Sequence, residues 1–250
     1  QNETVKKHFS CAMVYRPGGE EDFMKKSTFL MLSLFWMFTV SCNFISSNVD
    51  DFNFRLPEKS FTVDSGQFGL SWNGALPSIE CPANPCPDGE AFFCDAGQCA
   101  AKVEYALQSE IVRLKDEVEE LAVVGSQDHV TVKFKYIQME VTANTLNFPL
   151  PPLQLYVAPQ TATSLFDDQG QLRTDVELVG TLPSIPAQGI GVYDLVLSEG
   201  GQEALTRYCQ RPDVPFYFFI YGSAVFSAGD PVPAGALTVR IHSMATASIN

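Results

Sequence analysis

Apolar and polar residues alternate along much of this chain. Phe52, Phe54 and Leu56 fall on one side of the stretch Asp51 to Leu56, and Ser60 to Val63 resumes the pattern after Pro57. Successive side chains of a strand point to opposite faces, so alternation of this kind marks half-buried strands. Lys102 to Gln108 repeats it, with Val103, Tyr105 and Leu107 on one face. From Val130 the apolar positions run Val132, Phe134, Tyr136 and then change phase to Ile137, Met139, Val141, which predicts a bulge near Tyr136 and Ile137. Further strands are expected at Leu153 to Ala158, Asp175 to Val179, Gly191 to Leu197, Phe216 to Phe226 and Leu237 to Ala247. Pro- and Gly-rich turns such as Asn147 to Pro152 and Ala228 to Gly235 separate them. Ile111, Leu114, Val118 and Leu121 have helical spacing, and so do Ala204, Leu205, Tyr208 and Cys209 within Gln202 to Arg211. Many antiparallel strands with one or two short helices predict a mainly β chain built as a β-sandwich.

The N-terminal part follows another pattern. Met24-Lys25-Lys26 is followed by an apolar run from Thr28 to Val40 and then by Ser41-Cys42. A basic start and a run shorter than the roughly 20 residues of a membrane-spanning helix read as a signal segment. Residues 1–23 show no amphipathic period and are expected to be a leader upstream of a natural start at Met24. Gly18-Gly19-Glu20-Glu21 fits that reading, because Gly and Glu codons spell a purine-rich ribosome-binding sequence. The expected organisation is a leader over 1–23, a signal segment over 24–41, a tether over 42–50 and one sandwich domain over 51–250.

Thr39-Val40-Ser41-Cys42 resembles the lipobox of bacterial lipoproteins, with Thr39 where that family most often has Leu. The resemblance implies that the Cys42 thiol takes a diacylglyceryl group, that cleavage precedes Cys42, and that its new amino group is acylated. Asn43 stands where such lipoproteins carry Asp for inner-membrane retention, so the resemblance implies the outer membrane.

Four further cysteines are clustered as C-x4-C-x7-C-x4-C: Cys81, Cys86, Cys94 and Cys99. The residues between them are rich in Pro, Gly, Asp and Asn, which build turns and bury little, so this insert over 78–100 needs cross-links. In an oxidising compartment the cysteines form two disulfides, with three pairings open. Four thiolates also suit zinc, although structural zinc sites favour tighter C-x2-C knuckles, and no metal is expected. Cys209, on its helical face, is expected to be a buried free thiol.

Composition narrows the functions. The 250 residues are 46% hydrophobic and 18% charged, within the range of a folded protein. From Cys42 onward 11 Lys and Arg stand against 25 Asp and Glu, a balance of −14. Nucleic-acid binding draws on cationic residues that displace counterions, so this acidity argues against it and against direct adsorption to anionic lipid. His129 and His242 are expected to be satisfied strand histidines, because no G-x-S-x-G, H-E-x-x-H, phosphate-binding or dinucleotide motif accompanies them. The acidic stretches Asp167-Asp168-Gln169-Gly170 and Asp88-Gly89-Glu90 lack the ligand spacing of a calcium loop and are expected to be solvated turns.

The section Val130 to Leu197, with Asn144-Thr-Leu-Asn147, Pro151 to Tyr156 and Val179 to Pro186, resembles in topology the immunoglobulin-like sandwiches of late-embryogenesis-abundant, water-stress proteins. Lipobox, cysteine insert and acidic β body together resemble cysteine-rich outer-membrane lipoproteins of the myxobacterial type. These resemblances imply an antiparallel immunoglobulin-like sandwich at the cell envelope, and the lack of any catalytic motif adds the expectation of a structural or binding role with no cofactor or catalytic residues. The expected partners are the membrane, through the N-terminal lipid, and an envelope protein or surface ligand. The alternative is an envelope hydrolase whose site has no sequence motif.

Overall fold

The computed structural model describes residues 51–68, 74–87, 91–124 and 130–249. The expected leader, signal segment and tether, Cys42, Asp88-Gly89-Glu90 and His129 all lie outside the described residues. Two antiparallel sheets make up the fold. The first contains β1 (Phe52–Phe54), β2 (Lys59–Asp64), β5 (Val130–Asn144), β8 (Gly191–Asp194) and β11 (Ala236–Ile249). Its order is β1-β11-β5-β8, with β2 also paired to β11. The second contains β3 (Phe92–Asp95), β4 (Gln98–Gln108), β6 (Leu153–Pro159), β7 (Glu177–Leu182), β9 (Val196–Leu197) and β10 (Phe216–Phe226), in the order β3-β4-β10-β6-β7-β9. Among the described residues three short α-helices accompany them, α1 (Leu114–Glu117), α2 (Glu119–Val124) and α3 (Gly201–Cys209), with a single 3-10 turn at Ser65–Phe68.

Alternation places one side of each strand in a shared core. The first sheet contributes Phe54, Phe61, Val63, Met139, Val141, Val239 and Ile241, and the second Val103, Leu155, Val157, Phe216, Phe218 and Ile220. Each such side chain is worth roughly 1.5–3 kcal/mol on burial, which is what holds the two sheets face to face. The phase change in β5 has its expected cause. Met244 pairs with Tyr136 and Ala245 with Phe134, so Lys135 is the extra residue of a bulge. Before it Val132 is buried; after it Ile137, Met139 and Val141 are. A second register shift lies between Thr238 and Val239, opposite Ala143 and Val141.

The helical stretch Ile111 to Leu121 forms two pieces. Val118 is extended (φ −128°, ψ 99°), which separates α1 from α2, yet Leu114, Val118 and Leu121 all reach the core. β6 and β10 are buried on both faces, so Phe216 to Tyr221 reads as a nearly continuous apolar run. Tyr156, Ala158 and Phe219, on the face away from the first sheet, are covered by Ala162, Leu165 and Val176 from the segment between β6 and β7.

Two expectations change. The cysteine insert contributes a strand of its own, because β3 pairs with the start of β4 from Phe92↔Ala101 to Asp95↔Gln98 and extends the second sheet. Gly191 to Leu197, expected as one strand, is divided between the sheets. β8 pairs with β5, β9 pairs with β7, and Leu195 between them is buried. The Leu195 N–H donates to Ile137 O at 2.8 Å, and the Ser198 N–H to Val179 O at 2.9 Å. The crossing needs Gly180, since a Cβ there would lie 2.3 Å from the Val196 carbonyl oxygen.

Candidate functional site

The stapled hairpin is the most heavily cross-linked part of the described chain. Ala96 (φ 46°) and Gly97 (φ 82°) both adopt positive φ, as a two-residue turn of the type I′ hairpin class requires. That turn makes Cys94 and Cys99 cross-strand partners, with side chains on one face of the hairpin. They do not bond to each other. The disulfides are Cys81–Cys94 and Cys86–Cys99, so each ties the preceding loop to one strand of the hairpin. Backbone bonds run beside them: the Cys81 N–H donates to Gly97 O (3.0 Å) and the Cys99 N–H to Ile79 O (2.9 Å). All four expected cysteines are therefore oxidised, in one of the three pairings left open. The sulfurs of Cys81, Cys86 and Cys99 lie within 4.8 Å of one another. Reduced, three thiolates so placed could hold a metal ion, but here Cys86 and Cys99 are bonded to each other and Cys81 to Cys94.

His242 lies on the outer face of the first sheet. Its Nδ1 is 2.9 Å from Glu58 Oε1 and its Nε2 is 3.0 Å from Glu140 Oε2. Arg240, two residues earlier on the same face, stands 3.9 Å from a carboxylate oxygen of each glutamate. Each ring nitrogen therefore has a carboxylate oxygen within hydrogen-bond distance. The adjoining cavity is small, about 130 Å³. Ser243, the hydroxyl next in sequence, faces the core and accepts the Leu56 N–H at 3.3 Å. His242 is thus a satisfied strand histidine in a cross-strand network, as expected, with carboxylate partners that alternation could not name.

A larger concavity of about 570 Å³ lies where the Asn147 to Pro151 turn meets the end of β10. Phe148, Leu150, Val225, Phe226 and Pro231 give it an apolar lining, and Ser223 and Asp230 add polar groups. Its volume falls in the range of roughly 300–1,000 Å³ typical of ligand pockets. Asn147 fixes the wall by donating to Val232 O (2.9 Å) and accepting the Ala234 N–H (2.8 Å). The Phe148 and Phe226 rings meet edge-on at 5.0 Å. In the sequence these residues read only as turns and a strand end. Their proline content was the available signal, but it cannot show that two distant turns adjoin.

Asp167 behaves as a turn residue: one carboxylate oxygen accepts the N–H groups of Gln169 and Gln171, each at 2.9 Å. Cys209, the last residue of α3, is free and buried on its inner face, and burial pushes its thiol up to about 12. Iodoacetamide should leave Cys209 unlabelled in the native protein at about pH 8 and label it after denaturation, because little of it is thiolate and it is only 3% exposed. Peptide mapping reads the outcome, and native labelling would contradict the buried placement. No protein family, curated protein or solved structure matches the chain.

Proposed function

We propose that this chain is a lipid-anchored protein of the cell envelope, held at the outer membrane through Cys42, whose sandwich has a binding or structural role rather than a catalytic one. The observation that carries this reading is the pair of disulfides, Cys81–Cys94 and Cys86–Cys99, since such bonds persist in oxidising, exported compartments. The concavity beside Phe148 supports the binding role: it is apolar, walled by rigid turns and fringed by few polar groups. The reading of envelope hydrolase rests on His242, whose two carboxylates would position a general base. It ranks second because the neighbouring hydroxyl, Ser243, points to the opposite face of the sheet.

Intact-mass measurement tests the anchored reading. Protein expressed from Met24 in a bacterium and extracted from membranes should begin at Cys42 and carry the added mass of a diacylglyceryl group and an amide-linked acyl chain. A mature N-terminus elsewhere, without acyl mass, would overturn it.

A further inference from the structure

We propose that the stapled hairpin is a thiol-exchange site in which a small-molecule thiol enters at Cys94 and the exchange passes to the second disulfide, so that the freed thiol emerges at Cys86. The inference rests on the placement of the four sulfurs and does not depend on the lipid anchor. Cys94 is exposed on β3, Cys86 is half-buried, and Cys81 and Cys99 are buried at 8% and 5% exposure. An external thiolate therefore meets Cys94 first. Access decides which sulfur of a disulfide is attacked, and the other sulfur leaves.

The first step forms a bond between the external sulfur and Cys94 Sγ and breaks the Cys81–Cys94 bond, whose electron pair leaves on Cys81 as thiolate. That thiolate is buried, and a desolvated anion is disfavoured. Its sulfur lies within 4.8 Å of both sulfurs of the second disulfide. In the second step Cys81 attacks Cys99 Sγ, a Cys81–Cys99 bond forms, the Cys86–Cys99 bond breaks, and the electron pair leaves on Cys86. Attack on Cys86 instead would strand the charge on buried Cys99. Attack on Cys99 moves it to the half-buried sulfur, where it is solvated and takes a proton from water. Each step exchanges one disulfide for another, so the only co-reactant is the entering thiol. The product carries that thiol on Cys94, a Cys81–Cys99 cross-link and a free thiol at Cys86.

The test uses the full chain with accessible thiols first blocked by N-ethylmaleimide. The excess maleimide is removed, one equivalent of reduced glutathione is added, and the reaction is stopped with excess iodoacetamide in denaturant at about pH 8, where thiols are alkylated as thiolates, before non-reducing peptide mapping. The expected result is glutathione on Cys94, carbamidomethyl on Cys86 and a Cys81–Cys99 cross-linked peptide in most modified chains. Two variants separate the steps. With Cys86→Ser and Cys99→Ser together, glutathione should still reach Cys94 but the label should move to Cys81. With Cys81→Ser and Cys94→Ser together, glutathione uptake should slow by about tenfold or more, because the exposed sulfur is gone. Label on Cys81 with Cys86–Cys99 intact in the unaltered chain would overturn the relay, and glutathione on Cys86 or Cys99 would overturn the entry point.

Discussion

Replacing Cys42 with alanine is expected to abolish all fatty-acid label and, for chains cut at another position, to lower the membrane-bound share by at least about tenfold. Each buried acyl CH₂ contributes about 0.8 kcal/mol, so several chains on one cysteine hold where a single chain holds only reversibly. Once the apolar run Thr28 to Val40 is removed, the described residues offer no substitute of that kind. Among the described residues no helix is long and apolar enough to cross a membrane. The balance of −14 from Cys42 onward supplies no polybasic patch to attract anionic headgroups. The variant should also accumulate uncleaved or be cut at another position, since the lipoprotein peptidase of the resembled family acts on the lipid-modified cysteine. Inhibiting that peptidase in the unaltered protein should reproduce the size shift but leave acyl label, because lipid transfer precedes cleavage. A Cys42→Ala protein that matures to the same size and stays with membranes would sink the anchored reading.

The second large effect is expected at Glu117. Lys59 opens β2 with its side chain nearly sealed from water, and its Nζ donates to Glu117 Oε2 at 2.9 Å and to Ile111 O at 3.4 Å. The other oxygen, Glu117 Oε1, accepts the Arg113 N–H at 2.7 Å, so this one carboxylate joins the first sheet to the start of α1. Glu117→Ala leaves a buried ammonium without its anion and should cost about 2–3 kcal/mol, at or just below the roughly 3–5 kcal/mol of a fully buried pair because Glu117 is itself partly solvated. Lys59→Met should cost less than about 1 kcal/mol, since the apolar stem is kept and the stranded carboxylate reaches water. Urea denaturation of both variants measures the difference. Equal losses would mean that packing of the Lys59 stem matters more than the ion pair.

Alternation made most strands legible, because a strand buried on one side must repeat every second residue. β5 shows how far this goes: the phase change at Tyr136 and Ile137 located a bulge to within two residues of Lys135. The same rule fails where both faces are buried or where the partner changes. Leu195 looks like any inward residue of a seven-residue strand, and nothing local records that its two flanks pair with different sheets. β3 stayed hidden because Phe92-Phe93-Cys94-Asp95 is short and embedded in turn-forming residues; the structure adds disulfides and the β4 partner that a local reading lacks. For the candidate sites, the oxidation of the four cysteines was readable from spacing and context, while the pairing was not. The partners of His242 come from β5 and from the residue just before β2, a meeting of distant segments that periodicity does not encode.

The crossing at Leu195 also bears on how this protein avoids its own kind. A free strand edge is a template for another chain, and here Ile190, Val192 and Val196 make that edge apolar. A foreign strand adding along Gly191–Asp194 would run out of ladder after four residues, because the backbone then turns into the other sheet. A docking strand would have to bend between planes at the same point to continue. This apolar rim is thereby cut into lengths shorter than the roughly six- or seven-residue segments that stack into fibrils.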